Sequence, residues 1–200
     1  MLAFTVLTSG CVMESKYVGL DYYYVYSPPN IKPFTKNDTP YFTDENKYYT
    51  ITFSLVGHEG VMIVPLEIKN KTGTDIGAQE YRGALYDGRD RLPLKLIGRE
   101  DLETIVNQLL NPKGFSLSNP SIQGAFSSID SLIKLPANSS LGNDVRNIAN
   151  NYFVFRPVYA GSTRSGYLAF FHAFKLEYPL TLEIIINGKA YRYYFAPQKG

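Results

Sequence analysis

Leu180-Thr181-Leu182-Glu183-Ile184-Ile185-Ile186-Asn187-Gly188-Lys189-Ala190-Tyr191-Arg192-Tyr193-Tyr194-Phe195 reads as a β-hairpin. Asn187-Gly188 tolerates the positive φ angles of a type I′ turn, whose twist matches that of two antiparallel strands. A two-residue loop fixes the register: Ile186 faces Lys189, Ile184 faces Tyr191, Leu182 faces Tyr193 and Leu180 faces Phe195. That side is almost wholly apolar. The other side sets Glu183 against Arg192, and a slip of one residue would lose this pair and turn the apolar set to water.

Outward from the hairpin, alternation recurs. Tyr49, Ile51, Phe53 and Leu55 share one face of a strand, and Met62, Val64, Leu66 and Ile68 share one face of the next. With Gly57-His58-Glu59-Gly60 as a four-residue loop, Val56 pairs with Val61, Leu55 with Met62, Phe53 with Val64, Ile51 with Leu66 and Tyr49 with Ile68. Pro65 has no N–H to give, which predicts an edge or a bulge there. Extended segments are further expected over 75–85, 92–97, 152–159 and 167–174, with loops over 36–43 and 160–166. Residues 13–33 form a leader whose tyrosines supply either a first or edge strand or an exposed aromatic face for a sugar or a partner.

Between Arg99 and Asn151 the period changes. Leu102, Ile105, Val106, Leu109 and Leu110 recur at helical spacing after Glu100-Asp101, and a second helix starts with Asn119 as N-cap and Pro120 at its first position. The fold class expected is mainly β, an antiparallel β-sandwich with a helical insertion over about 99–150. The organisation expected is a signal remnant over 1–11, a leader with a possible first strand over 12–47, and a sandwich domain over 48–200.

Composition narrows the function. The 200 residues are 44% hydrophobic, enough for one core. Seventeen Tyr and twelve Phe with no Trp suit strands. Twenty basic and eighteen acidic residues leave a net charge of +2, with no clustered cations to select nucleic acid. Cys11 is the single cysteine, which excludes an internal disulfide and a cysteine-based metal cluster. The two histidines, His58 and His172, fall in an expected turn and in an apolar strand, where His172 reads as a sheet residue rather than a base. Cys11 with His172 would need a preorganised nucleophile in a processed tail. Asp87, Asp90 and Asp101 do not follow a calcium-loop spacing. Gly161 to Gly166 lacks the Lys and the following helix of a phosphate-binding loop. The expectation is no catalytic residue, no cofactor and no metal.

The first eleven residues, Met1-Leu-Ala-Phe-Thr-Val-Leu7-Thr8-Ser9-Gly10-Cys11, are a short apolar run ending in small residues and a Cys. This resembles a bacterial lipoprotein lipobox; Gly10 and Cys11 match, whereas Leu7 stands one place early and no basic residue precedes the run. The resemblance implies lipid attachment at Cys11, and Val12 in place of Asp after the Cys implies the outer membrane. The run Pro65 to Ile76, with Leu85-Tyr-Asp-Gly88, Gly166-Tyr-Leu-Ala-Phe170 and the final hairpin, resembles the immunoglobulin-like sandwich domains of bacterial envelope lipoproteins. Together these imply a lipid-anchored envelope protein that acts as a non-catalytic binding or scaffolding module. Its expected partners are the membrane, through Cys11, and another envelope protein, with no nucleic acid. The alternative is an envelope ligand-binding protein or hydrolase whose site lies between the sandwich and the helical insertion.

Overall fold

The structure is a computed structural model that describes residues 21–25, 30–36, 39–58, 61–88, 92–103, 147–172 and 178–197. It is mainly β, built from antiparallel sheets. The strands are β1 (Asp21–Val25), β2 (Ile31–Lys36), β3 (Thr39–Glu45), β4 (Tyr49–Phe53), β5 (Val56–His58), β6 (Val61–Asn70), β7 (Tyr81–Tyr86), β8 (Lys95–Leu96), β9 (Thr163–Phe171), β10 (Leu180–Ile186) and β11 (Lys189–Pro197). One sheet runs β2-β3-β4-β6-β9-β8, with β5 continuing the line of β4 along β6. The second runs β7-β10-β11-β1. β1 belongs to both: Asp21 and Tyr22 pair with Gly57 and Val56, then Tyr23 to Val25 pair with Pro197 to Phe195. Strands that switch sheets in this way make the corners of sandwiches.

The final hairpin forms in the expected register, from Leu180 with Phe195 through Glu183 with Arg192 to Ile186 with Lys189. Asn187 and Gly188 take φ of 50° and 75°, as the turn type demands. Its apolar face is the middle of the core. Tyr193 lies against Phe53, its ring tilted by 32°, at 4.0 Å between ring centroids, Phe195 meets Phe42 edge-on at 6.2 Å, and Tyr191 meets Tyr49 edge-on at 6.3 Å. Leu180, Leu182, Ile184, Ile186, Ile51, Phe53, Met62, Val64 and Ile68 are fully buried between the sheets. Full burial of one such side chain contributes roughly 1.5–3 kcal/mol.

Several expectations need correction. In the hairpin of β4, β5 and β6, Val56 pairs with Ile63, Phe53 with Leu66 and Tyr49 with Asn70, so the register lies two residues from the one expected. His58 pairs with Val61, so Gly57 and His58 are strand and two residues make the connection. A shift of two keeps every side chain on its face. Pro65 is not at an edge, because β6 has partners on both sides. An antiparallel residue directs its N–H and C=O to the same side. Pro65 accepts from the Ser54 N–H at 3.1 Å and can return nothing, and there the partner line breaks into β4 and β5. On its other side it meets Tyr167, whose N–H and C=O turn away to Asn151 O and Phe153 N, both at 2.9 Å. The missing donor thus costs a single ladder bond.

The expected loops over 36–43 and 160–166 are largely strand: β2 reaches Lys36, β3 starts at Thr39, and β9 starts at Thr163. Residues 152–159 are not a strand. They touch the sheets through two isolated bridges, Tyr152 with Tyr167 and Ile76 with Val158. They also close one side of the sandwich with Phe153 and Phe155 around Tyr81, whose hydroxyl donates to Arg156 O. Most of the segment where a helical insertion was expected, residues 104–146, lies outside the described residues. The stretches on either side of it, 99–103 and 147–150, are helical and bury Leu102, Ile148 and Ala149. No helix among the described residues is long and apolar enough to cross a membrane.

Candidate functional site

On the outer face of the larger sheet, the register lines side chains up in two adjacent rows. The first holds Phe34, Tyr41, Ser54, Pro65 and Tyr167: Phe34 pairs with Tyr41, Ser54 donates to Pro65 O, and Pro65 pairs with Tyr167. Ser54 follows Phe53, the partner of Phe42, and so lies beside Tyr41. Two aromatics stand at one end and one at the other, with small residues between. The second row is Lys32, Thr43, Thr52, Glu67 and Ser165, each paired with the next. It is polar throughout. Period-two alternation forces both rows outward, because Phe42, Phe53 and Leu66 between them point into the core.

The rows enclose a groove of about 530 Å³, within the ~300–1,000 Å³ of ordinary ligand sites. Its aromatic wall is firm, since Phe34 stacks on Tyr41 at 5.5 Å and 23°. Burial, and then the nearby Tyr167, push the Tyr41 phenol above its ordinary range, so it remains a neutral hydroxyl that can donate and accept. The floor holds Thr52, whose hydroxyl lies 3.3 Å from that of Thr43, with Pro65 and Glu67. Ser54 is fully buried and its hydroxyl donates to Pro40 O at 2.6 Å, which ties the floor to the start of β3.

The far wall comes from Asn151, at the end of the helical turn over 147–150. Its amide nitrogen donates to Asn147 O at 2.9 Å and Asn147 Oδ1 at 2.7 Å. Gly166 permits this approach. A Cβ there would lie 2.7 Å from both Asn151 O and Phe153 Cα. Tyr152 then donates to Ile97 O at 3.1 Å, pinning the segment to the strand side.

The outer face of the second sheet carries a smaller cavity of about 200 Å³, lined by Tyr86, Thr181, Glu183, Arg192 and Tyr194. Its carboxylate is already matched, because Arg192 Nε donates to Glu183 Oε2 at 2.6 Å and the Tyr86 hydroxyl lies 3.3 Å from Oε1. It reads as a sheet-face ion pair, and the groove is the stronger candidate.

Cys11 lies outside the described residues, as does Asp90. His172 directly follows β9 and is half-buried; His58 ends β5. Asp87 follows β7 and Asp101 sits in the helical turn at 99–103. Among the described residues, no group of three or more His, Cys, Asp or Glu side chains could hold a metal ion. The groove residues escaped the sequence reading because Tyr41 stood in an expected loop and Tyr167 in an apparently uniform apolar strand. Alternation carried through Tyr41-Phe42-Thr43 would have exposed the pattern. No protein-family model, curated protein or solved structure matches this chain.

Proposed function

We propose that this chain is a non-catalytic binding module of the bacterial envelope, held by lipid at Cys11 in the outer membrane and facing the periplasm or the cell surface. Its body is read as an immunoglobulin-like sandwich with a helical insertion over 99–150. The outer-face groove is its binding surface, where another envelope component is held. The observation that carries this is the pairing of an aromatic row with a polar row in one concave surface. The alternative expected from sequence, a site between sandwich and insertion, is favoured in its ligand-binding form by the position of Asn151 in the groove wall.

Lipid attachment is tested by labelling cells with a fatty-acid analogue and by intact mass of the N-terminal peptide. The wild-type chain is expected to carry a diacylglyceryl group on Cys11 and the Cys11→Ser variant to carry none. An unmodified Cys11 on protein that stays out of the detergent phase would remove the anchor. Groove binding is tested by co-sedimentation of the chain with isolated cell envelopes. Ser165→Trp, which fills the groove from an exposed position, is expected to abolish it, and retention by that variant would move the binding surface elsewhere.

A further inference from the structure

We infer that the groove accepts a pyranose saccharide, with the sugar's C–H face laid on the Tyr41 and Tyr167 side and its hydroxyls turned toward Thr52, Glu67 and Ser165. This rests on the groove being the binding surface. A pyranose ring is amphipathic in the same sense as the site: one face of axial C–H groups matches the π surface of an aromatic side chain, and a rim of hydroxyls needs partners that both donate and accept. The register provides both in neighbouring rows, Phe34, Tyr41 and Tyr167 in one and Thr52, Glu67 and Ser165 in the other.

Other ligand classes fit less well. Lys36 is the one cation and Glu67 the one carboxylate among the lining residues, so the groove has no excess positive charge to hold phosphate or nucleic acid. A fatty chain would bury the polar row without partners. An extended peptide adds to a sheet edge, whereas the groove lies on a sheet face whose backbone groups are engaged in the ladders of β3, β4, β6 and β9. A saccharide asks for no backbone partner.

The test uses the chain with Cys11→Ser, to keep it free of lipid, titrated with two soluble probes: a β-1,4-linked tetramer of N-acetylglucosamine and a malto-oligosaccharide of equal length. Amide and tyrosine-ring NMR shifts are followed. Saturable shifts confined to β3, β4, β6 and β9, weakened at least tenfold by Glu67→Ala and by Ser165→Trp but not by Tyr194→Ala on the opposite sheet, support the inference. Which probe saturates separates an amino-sugar glycan of the envelope from a glucan. Glu67 and Ser165 are exposed, so these variants are expected to keep the wild-type thermal midpoint. Absence of shifts with either probe overturns the saccharide assignment. If Ser165→Trp nevertheless abolishes co-sedimentation with envelopes, the groove remains the binding surface for another chemistry. Shifts that persist in both groove variants place the sugar elsewhere and also overturn it.

Discussion

Asp44 is a carboxyl residue inside the sandwich, 7% exposed, and its two oxygens are both used. Tyr193 donates to Oδ2 at 2.9 Å from the opposite sheet, and Asn30 donates to Oδ1 at 2.9 Å from the start of β2. Removing one donor leaves a buried acceptor short, at a cost of about 1–3 kcal/mol. Tyr193→Phe is therefore expected to lower stability by that amount in a urea titration, with an unchanged slope. A loss below half a kcal/mol would mean that water replaces the phenol.

The same residue sets a pH dependence. Burial, and then Asp44, push the Tyr193 phenol well above its ordinary value, and burial moves Tyr41, Tyr81, Tyr86, Tyr152 and Tyr191 in the same direction. In the unfolded chain a tyrosine loses its proton near pH ~10, whereas the folded chain retains it. The stabilisation is thus complete below about pH 10 and is lost as pH rises beyond it, because there the unfolded state binds fewer protons. Urea midpoints measured from about pH 8 to about pH 11 should be flat and then fall. The fall should be shallower in Tyr193→Phe, and an equal slope in the two proteins would assign the effect to the other tyrosines.

At the scale of the element, the two hairpins differ in how much of them local residues determine. Asn187-Gly188 admits one turn type, so the sequence carries the register of β10 and β11 down to the Glu183 and Arg192 pair. Gly57-His58-Glu59-Gly60 admits loops of two or four residues, and both preserve the alternation of β4 and β6. Face was therefore legible there and register was not. Pro65 misled for a related reason: what decides its cost is the direction in which its missing N–H would point, and pairing sets that, not composition. Gly166 has no local signature either, since the backbone it must accommodate is Asn151 to Phe153. Gly166→Ala is expected to cost about 1–3 kcal/mol by overpacking, with the segment at 151–153 displaced and Asn151 withdrawn from the groove wall. A thermal melt with amide shifts of Asn151 and Phe153 checks this, and a neutral substitution would show that the segment can yield.

For the whole molecule, the sequence made the mainly β class legible because alternation is a local signal. The groove was not legible, because its walls come from β2, β3, β9 and Asn151, and only long-range pairing brings Phe34, Tyr41 and Tyr167 into one row. Among the described residues β2 is the longer of the two edge strands of the larger sheet, and it carries Lys32, Pro33 and Lys36, residues that oppose edge-to-edge addition of another chain. Replacing Pro33 with Val and both lysines with Thr is expected to promote concentration-dependent self-association, visible by light scattering. Unchanged scattering would show that the strand is shielded by other means.

β1 has a mechanical role that follows from its double pairing. Five residues are stitched to Gly57 and Val56 on one sheet and to Phe195, Ala196 and Pro197 on the other. The two sheets cannot splay at that corner without stripping the strand from one of them. A load applied at Asp21 must break both sets of bonds before the two sheets can part at this corner. A five-residue strand is therefore the clasp that holds the two sheets together at this corner.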